Sequence, residues 1–296
     1  MRKDVFAGYH PTINFFFLCG AIFLGLMVQH PLWIAISFCG AMSYALFLGG
    51  KKALQFLLTF TIPIVLLTAL LNPLFVHQGV TILFYFRDNP ITMEAMVYGV
   101  TRGLMFGAGL LWFYCYQYLM TGDKFMYLFG KAIPSGSLIF SMVLSFIPRF
   151  HARMKVISDA QKCIGRDVTD GGLMEKIRHG IKVLSIMTTW SLESAIDTSD
   201  SMKSRGYGLK NRSSFVPYRL ERRDLIMGLG LLGLVVLAVI ATSLGYNLFL
   251  CYPMVRMAPS GAMSGLFALA YGLFCFTPVL LNVAEALKWK HIQSEI

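Results

Sequence analysis

The stretch LIMGLGLLGLVVLAVIATSLGYNLFL, residues Leu225–Leu250, runs for 26 consecutive residues without a charged side chain. A transmembrane helix needs about 20 predominantly apolar residues, so this stretch predicts a membrane span. The rest of the chain has the same character, because only 14% of its residues are charged, whereas soluble domains contain about a quarter. The sequence therefore predicts an all-α, polytopic membrane protein.

Further apolar runs of similar length precede and follow this stretch. The first two are short and are joined tightly at Gln29-His30-Pro31. We expect about six transmembrane helices in all. The predicted spans are Thr12–Val28, Leu32–Leu48, Leu54–Phe75, Met93–Met120, Leu225–Leu250 and Gly261–Leu287.

Lysine and arginine are distributed unevenly around these spans. About 15 of the 26 Lys and Arg residues lie between Arg149 and Arg223, whereas the opposite side of the membrane receives little beyond Arg87 and Arg256. Cytoplasmic loops collect positive charge, so this basic segment and both chain termini are predicted to be cytoplasmic. The same rule accounts for the net charge of +11 without a nucleic-acid partner, for which the chain carries no recognised motif.

The basic segment is predicted to be helical, because its apolar residues recur every three or four positions. Two long cytoplasmic helices, Ser137–Ile164 and Leu173–Arg205, are expected, with Asp170-Gly171-Gly172 between them. Each apolar stripe must be buried, either on the other helix or on the membrane spans. The stripes comprise Val143, Phe146, Phe150, Met154, Ile157 and Ile164 on the first helix, and Leu173, Ile177, Ile181, Leu184 and Met187 on the second. The chain would then consist of transmembrane residues 1–135, a cytoplasmic module 136–223 and C-terminal spans 224–296.

The second cytoplasmic helix is predicted to present a cation at its end. Arg205 falls in the last turn, where the helix dipole favours positive charge, and Gly206 or Gly208 can take the left-handed conformation that ends a helix. Together with the ring of Tyr207, this end is suited to docking into a groove on another protein, because the planar guanidinium binds through several donors. A basic helix end that simply stays solvated is the alternative.

At this helix end the sequence resembles the transmembrane T component of energy-coupling factor (ECF) transporters. These are ABC-type importers of vitamins and metal ions in prokaryotes. The family carries two short Ala-Arg-Gly motifs at the ends of two cytoplasmic coupling helices. Here Ser204-Arg205-Gly206, followed by Tyr207, matches the second motif with Ser in place of Ala.

The first motif of the family matches less well. Its pattern aligns with Ala160-Gln161-Lys162-Cys163-Ile164-Gly165. Cys163 replaces the alanine and Ile164 occupies the arginine position, although Arg166 follows Gly165 and is a candidate substitute by a local shift. Upstream, Phe146-Ile147-Pro148-Arg149-Phe150 resembles the family's segment that enters the first coupling helix.

The resemblance implies a set of partners and a mechanism. Two ABC ATPase subunits would each receive one helix end, and ATP-driven closing of that dimer would move both ends. The long helices would carry the displacement to a substrate-binding membrane subunit, the S component. The chain itself would be a non-catalytic, multi-pass protein of the prokaryotic cell membrane without a cofactor or metal. Its substrate cannot be assigned, because specificity would lie on the S component.

Motifs for catalysis are missing from the sequence. There is no phosphate-binding loop and no His-Glu-x-x-His, and the six Cys residues lack metal-ligand spacing. A membrane enzyme, such as a prenyl transferase, would need carboxylate pairs for metal-bound diphosphate. A self-sufficient transporter or channel would favour ionisable groups in the membrane, and only Arg102 fits that expectation.

The fourth predicted span contains two further features. Gly99, Gly103 and Gly107 form a small-residue stripe that allows close approach of another helix, either within the chain or from a separate membrane protein. Arg102 either has a function in the membrane or is accommodated by pairing with Glu94 or by reaching the interface.

Overall fold

A computed structural model of the chain describes residues 4–86, 89–130, 134–165, 172–207, 218–252, 256–257 and 261–294. Most of these residues are helical. The strands form two short antiparallel hairpins, β1 (Ile82–Phe86) with β2 (Asn89–Thr92) and β3 (Phe249–Leu250) with β4 (Arg256–Met257). The helices are α1 (Pro11–Met27), α2 (Pro31–Gly49), α3 (Lys51–Phe56), α4 (Ile62–Phe75), α5 (Met93–Leu119), α6 (Gly122–Gly130), α7 (Pro134–Cys163), α8 (Leu173–Ser204), α9 (Arg222–Ser243) and α10 (Ala262–Ser294).

Within these residues, five helical stretches are long and apolar enough to cross a membrane. They are Pro31–Gly49, Lys51–Phe75, Met93–Leu119, Arg222–Ser243 and Ala262–Ser294. Helix α1 is also apolar and has 17 residues, which is at the lower limit for a span. The predicted all-α, polytopic membrane fold is thereby confirmed.

The stretch Lys51–Phe75 is a single helical rod with a wider turn inside it. The π-helical segment Leu57–Thr61 joins α3 to α4. Pro63 has no N–H, so the carbonyl of Thr59 cannot form its usual bond four residues on. A π-turn at this place accommodates the missing donor.

The predicted span Leu225–Leu250 is too long, because α9 ends at Ser243. Gly245 adopts a φ of 83°, which ends the helix. Two residues later, the Asn247 side chain accepts hydrogen bonds from the backbone N–H groups of Gln29 (2.9 Å) and His30 (3.1 Å). The segment after Ser243 is therefore not part of the span and instead fastens the turn between α1 and α2.

Glu94 and Arg102 do not form an ion pair. The Glu94 carboxylate accepts from the backbone N–H of Thr81 at 3.2 and 3.3 Å, which ties the β1–β2 hairpin to the start of α5. The Arg102 guanidinium lies 4.9 Å from the centre of the Tyr98 ring and 3.6 Å from the Met105 sulfur. Of the alternatives for Arg102, pairing with Glu94 is therefore wrong, and the Glu94 carboxylate instead binds a backbone N–H next to a hairpin that was not expected from the sequence.

The chain divides into two compact units, Met1–Phe125 with Tyr218–Ile296, and Met126–Pro217. The first unit contains all the membrane-spanning candidates, packed around an aromatic core. The Phe17 ring lies 5.6 Å from that of Trp112 and 5.0 Å from that of Phe274, and Trp112 Nε1 donates to Ser37 Oγ at 3.1 Å. The second unit contains α7 and α8. The three-part division at residues 135 and 223 stays a prediction, because compactness alone does not define a functional domain.

Helices α4 and α5 approach closely along the small-residue stripe of α5. A Cβ atom placed on Gly99 would lie 3.1 Å from the Ala69 Cα, and one on Gly107 would lie 3.1 Å from the Thr61 Cγ2. A Cβ on Gly103 would overlap Thr68 Oγ1. All three glycines thus face a helix of the same chain, and a larger residue at any of them would push α4 away.

Candidate functional site

Helices α7 and α8 are held together by a small apolar seam. Its buried members are Ile157 from α7 and Val183 and Met187 from α8, and Phe150, Ile186 and Trp190 pack against them. On one side of the seam the Phe146 and Trp190 rings stack at 5.7 Å with an interplanar angle of 20°. This seam fixes the crossing point of the two helices.

Most of the apolar stripe predicted to be buried on α8 is exposed. Leu173, Ile177, Ile181 and Leu184 are 49–80% exposed, and only Met187 is buried. Two long helices that cross contact one another over only a turn or two, and here α8 turns the side of Val183 and Met187 towards α7. Of the two alternatives, burial of the whole stripe on α7 is therefore wrong, because α7 covers only Met187 of it, and burial against the membrane spans stays a prediction.

The C-terminal end of α8 is shaped by a Schellman motif. The backbone N–H of Tyr207 donates to the Met202 carbonyl at 3.0 Å, and that of Gly206 donates to the Lys203 carbonyl at 3.0 Å. Gly206 makes this possible, because its φ of 80° lies in the left-handed region. The motif stops the helix sharply and leaves Arg205 at its tip.

The C-terminal end of α7 follows the same plan as far as it is described. The backbone N–H of Gly165 donates to the Lys162 carbonyl at 2.9 Å, and Gly165 has a φ of 74°. The residue at the tip is Ile164, which is 65% exposed, and Cys163 before it is also exposed. Arg166, the candidate substitute for the missing arginine, lies outside the described residues.

Arg205 is exposed, and its side chain makes no hydrogen bond or ion pair within the described part of the chain. A nearby ion pair joins Lys203 to Asp200 at 3.5 Å, but both side chains are about 70% exposed (72% and 69%), so its contribution is small. The guanidinium of Arg205 therefore keeps its donors available for an acceptor on another molecule.

An open groove of about 670 Å³ lies between α7 and α8, beside the tip of α8. Its α7 wall is apolar, with Ile139, Met142 and Phe146, whereas its α8 wall carries the hydroxyls of Ser194 and Thr198. Arg149 also lines the groove on the α7 side, and its guanidinium donates hydrogen bonds to the carbonyl and hydroxyl oxygens of Ser145 at 3.2 Å each. Sequence reasoning missed this groove, although small polar residues recur at helical spacing between Ser191 and Ser199.

Within the described residues, no group of three or more His, Cys, Asp or Glu side chains could hold a metal ion. At the ends of α7 and α8, exposed side chains lie on long helices with capped ends, which is an arrangement typical of a docking surface.

Two curated proteins are similar to part of this chain. The energy-coupling factor transporter transmembrane protein EcfT of Lactobacillus helveticus (strain DPC 4571) is 33% identical over 100 residues, which is 33% of this chain and 36% of that protein. The protein of the same name from Lactococcus lactis subsp. cremoris (strain MG1363) is 30% identical over 104 residues, 35% of this chain and 39% of that protein. The similarity thus spans little more than a third of the length of these relatives. No protein-family model matches the chain.

Proposed function

We propose that this chain is the membrane-embedded coupling subunit of an ECF-type ABC importer. In this function, two cytoplasmic ATPase subunits bind the ends of α7 and α8, and the helices transmit ATP-driven motion to a substrate-binding membrane subunit. The observation that carries the proposal is the pair of long helices that end in the same way, at Ile164-Gly165 and Arg205-Gly206. The partial similarity to two proteins named EcfT supports it.

The physical argument begins with stiffness. A 32-residue helix such as α8 is about 48 Å long, and the seam on α7 restrains it sideways. A displacement applied at one end of such a rod reaches the other end with little loss. The cap at Gly206 then fixes where Arg205 lies, so that a partner meets a guanidinium whose position varies little.

The same proposal includes the orientation and the division of labour. The basic segment and both termini lie in the cytoplasm of a prokaryotic cell, and the chain hydrolyses no ATP itself. A separate S component binds the transported solute, a vitamin or a metal ion. Residues 136–223 act as the coupling module, with Ser204 to Tyr207 and Cys163 to Arg166 as the two contact sites for the ATPases.

A charge reversal at the α8 tip tests the proposal. We expect Arg205→Glu to abolish uptake and to prevent co-purification with the ATPase subunits, because it places a carboxylate where an anionic or carbonyl acceptor is bound. Lys182→Glu is the matched control, since Lys182 is an exposed cation on the same helix, 23 residues or about 34 Å away from Arg205. Normal uptake and normal co-purification of Arg205→Glu would refute the coupling function.

A self-sufficient transporter or channel is the competing function. Purified chain in liposomes distinguishes the two, because a coupling subunit moves no solute alone and gains activity when the ATPase and S components are added. Solute flux through liposomes that contain only this chain would favour the alternative.

A further inference from the structure

A second groove lies between α9 and α10, in the unit that contains the membrane spans. Its volume is about 760 Å³, and most of its lining is apolar. Its lining contains one charged residue, Arg223, which lies at one end together with Tyr9. Because hairpin β3–β4 joins the two helices, the start of α9, which carries Arg223, lies beside the end of α10.

The α10 wall of the groove leads directly to a lysine. The wall contains Thr277, Leu281 and Ala284, which follow helical spacing on one face. Lys288 comes one turn after Ala284 on the same face and is exposed. Arg223 on α9 thus lines the end of the groove, and Lys288 on α10 lies one helical turn beyond its last α10 residue, Ala284.

The side chain of Arg223 is held in place by its neighbours, but not all of its hydrogen-bond donors are used. Its guanidinium lies 5.1 Å from the centre of the Tyr9 ring, and its Nε is 3.4 Å from Glu221 Oε2 and 3.8 Å from Asp224 Oδ1. Neither of its Nη atoms donates a hydrogen bond within the described residues. Asp224 is itself used to cap α9, where it accepts from the Glu221 N–H at 3.1 Å.

The segment that carries Tyr9 is anchored to α10. The Asn282 side chain accepts from the Val5 N–H at 2.9 Å and donates to Asp4 Oδ1 at 2.6 Å, and Asn282 is buried. The ring of Tyr9 is thus part of a fixed wall beside Arg223.

The floor of the groove is open at Gly230. A Cβ atom at this position would have no neighbour within 4 Å, so packing within the described chain does not require a glycine here. Because α9 and α10 are membrane spans, the occupant of the space must come from the bilayer or from another membrane protein.

We propose that this groove binds an anionic phospholipid. Its phosphate lies between Arg223 and Lys288, and an acyl chain runs along the apolar walls past Gly230. The charge pattern favours this occupant, because the charged residue of the lining, Arg223, lies at the end of the groove that leads to Lys288, and most of the remaining lining is apolar. Basic pockets between membrane helices bind anionic headgroups for the same reason. A partner helix would instead need an acidic residue at the interface and a ridge to fill the space above Gly230.

Lipid titration of the purified full-length chain tests this proposal by native mass spectrometry. Phosphatidylglycerol and phosphatidylcholine with the same acyl chains are the two probes. We expect phosphatidylglycerol to bind about tenfold or more tightly than phosphatidylcholine. The double variant Arg223→Ala/Lys288→Ala should lose that preference, whereas the matched control Arg222→Ala/Lys290→Ala, whose side chains lie on other faces, should keep it.

Gly230→Phe probes the groove without altering any charge, and it should weaken the binding of both lipids. Equal affinity for the two lipids in the unaltered chain, or an unchanged preference in the Arg223→Ala/Lys288→Ala variant, would overturn the proposal. A photo-crosslinking residue at Met227 separates the possible occupants in cell membranes. Capture of phospholipid supports the proposal, and capture of a protein in its place overturns it.

Discussion

The ends of α7 and α8 share a backbone plan but differ in chemistry. Each helix stops at a glycine with a positive φ, 74° at Gly165 and 80° at Gly206. At the first end the preceding residue is apolar Ile164, and at the second it is Arg205. If a partner binds these ends, the backbone determines where the contact is made, and the tip residue determines how strong and how specific it is. If two similar ATPase subunits bind the two ends, we expect one contact to depend on charge and the other on apolar area.

The largest effect is expected from a change in the seam, because the seam holds α7 and α8 together and so positions the ends of both helices. Met187→Ala removes a buried side chain from the seam and should cost about 2–5 kcal/mol of stability in the α7–α8 pair. Leu184→Ala, three residues away and exposed, should change stability by less than about 0.5 kcal/mol. Thermal unfolding followed through protease sensitivity of α7 and α8 measures both. Equal destabilisation by the two variants would show that the seam is not the core of this unit.

The next effect separates the two ends. Arg205→Ala should weaken binding of the ATPase subunits by about tenfold or more, whereas Ile164→Ala should weaken it by about threefold or less. The reason is that alanine removes a set of hydrogen-bond donors in one case and only part of an apolar side chain in the other. Surface plasmon resonance with immobilised chain gives both values. A greater loss of ATPase binding for Ile164→Ala than for Arg205→Ala would contradict the expectation that the α8 end makes the stronger contact.

A smaller effect is expected from the capping glycines, and it should be similar at both ends. Gly165→Ala and Gly206→Ala each force an alanine into the left-handed region, at a cost of about 1–2 kcal/mol. Both variants should fray the last helical turn, as hydrogen exchange of residues 160–165 and 201–207 would reveal. Fraying at one end only would mean that the shared backbone plan is not equally important at both.

The smallest effect is expected when the first end is made more like the second. Ile164→Arg introduces the residue that the family motif has at this position, on a tip that is already exposed. We expect ATPase binding to be unchanged or to rise by up to about threefold, because surface charges contribute little until they are buried by a partner. A clear loss of binding would indicate that the first contact has adapted to an apolar residue.

Sequence patterns located the long helices well but not their contacts. The predicted Leu173–Arg205 and the observed Leu173–Ser204 differ by one residue, because the glycine signals that end α8 are local. Most of the α8 stripe does not contact α7, since three-four spacing marks a face but not the place where a crossing helix meets it. Val183 and Trp190 belong to the seam through this crossing, which no local pattern contains.

Contacts between residues far apart in the chain were also beyond local patterns. The Asn247 side chain joins residues more than 200 positions apart, and nothing in its neighbourhood indicates this. Hairpin β1–β2 and helix α6 are too short for hydropathy to distinguish them from loops. The positions of the candidate tips, in contrast, could be predicted, because a short motif at a helix end is recognised from the local sequence alone.

The position of the seam makes α7 and α8 levers with unequal arms. Ile157 lies seven residues, about 10 Å, before the tip residue Ile164, whereas Met187 lies 18 residues, about 27 Å, before Arg205. A rotation about the seam therefore moves the Arg205 tip about two and a half times as far as the Ile164 tip. Equal strokes of two motor subunits would tilt the two helices by different angles, so even a symmetric motor would produce an asymmetric movement in this protein.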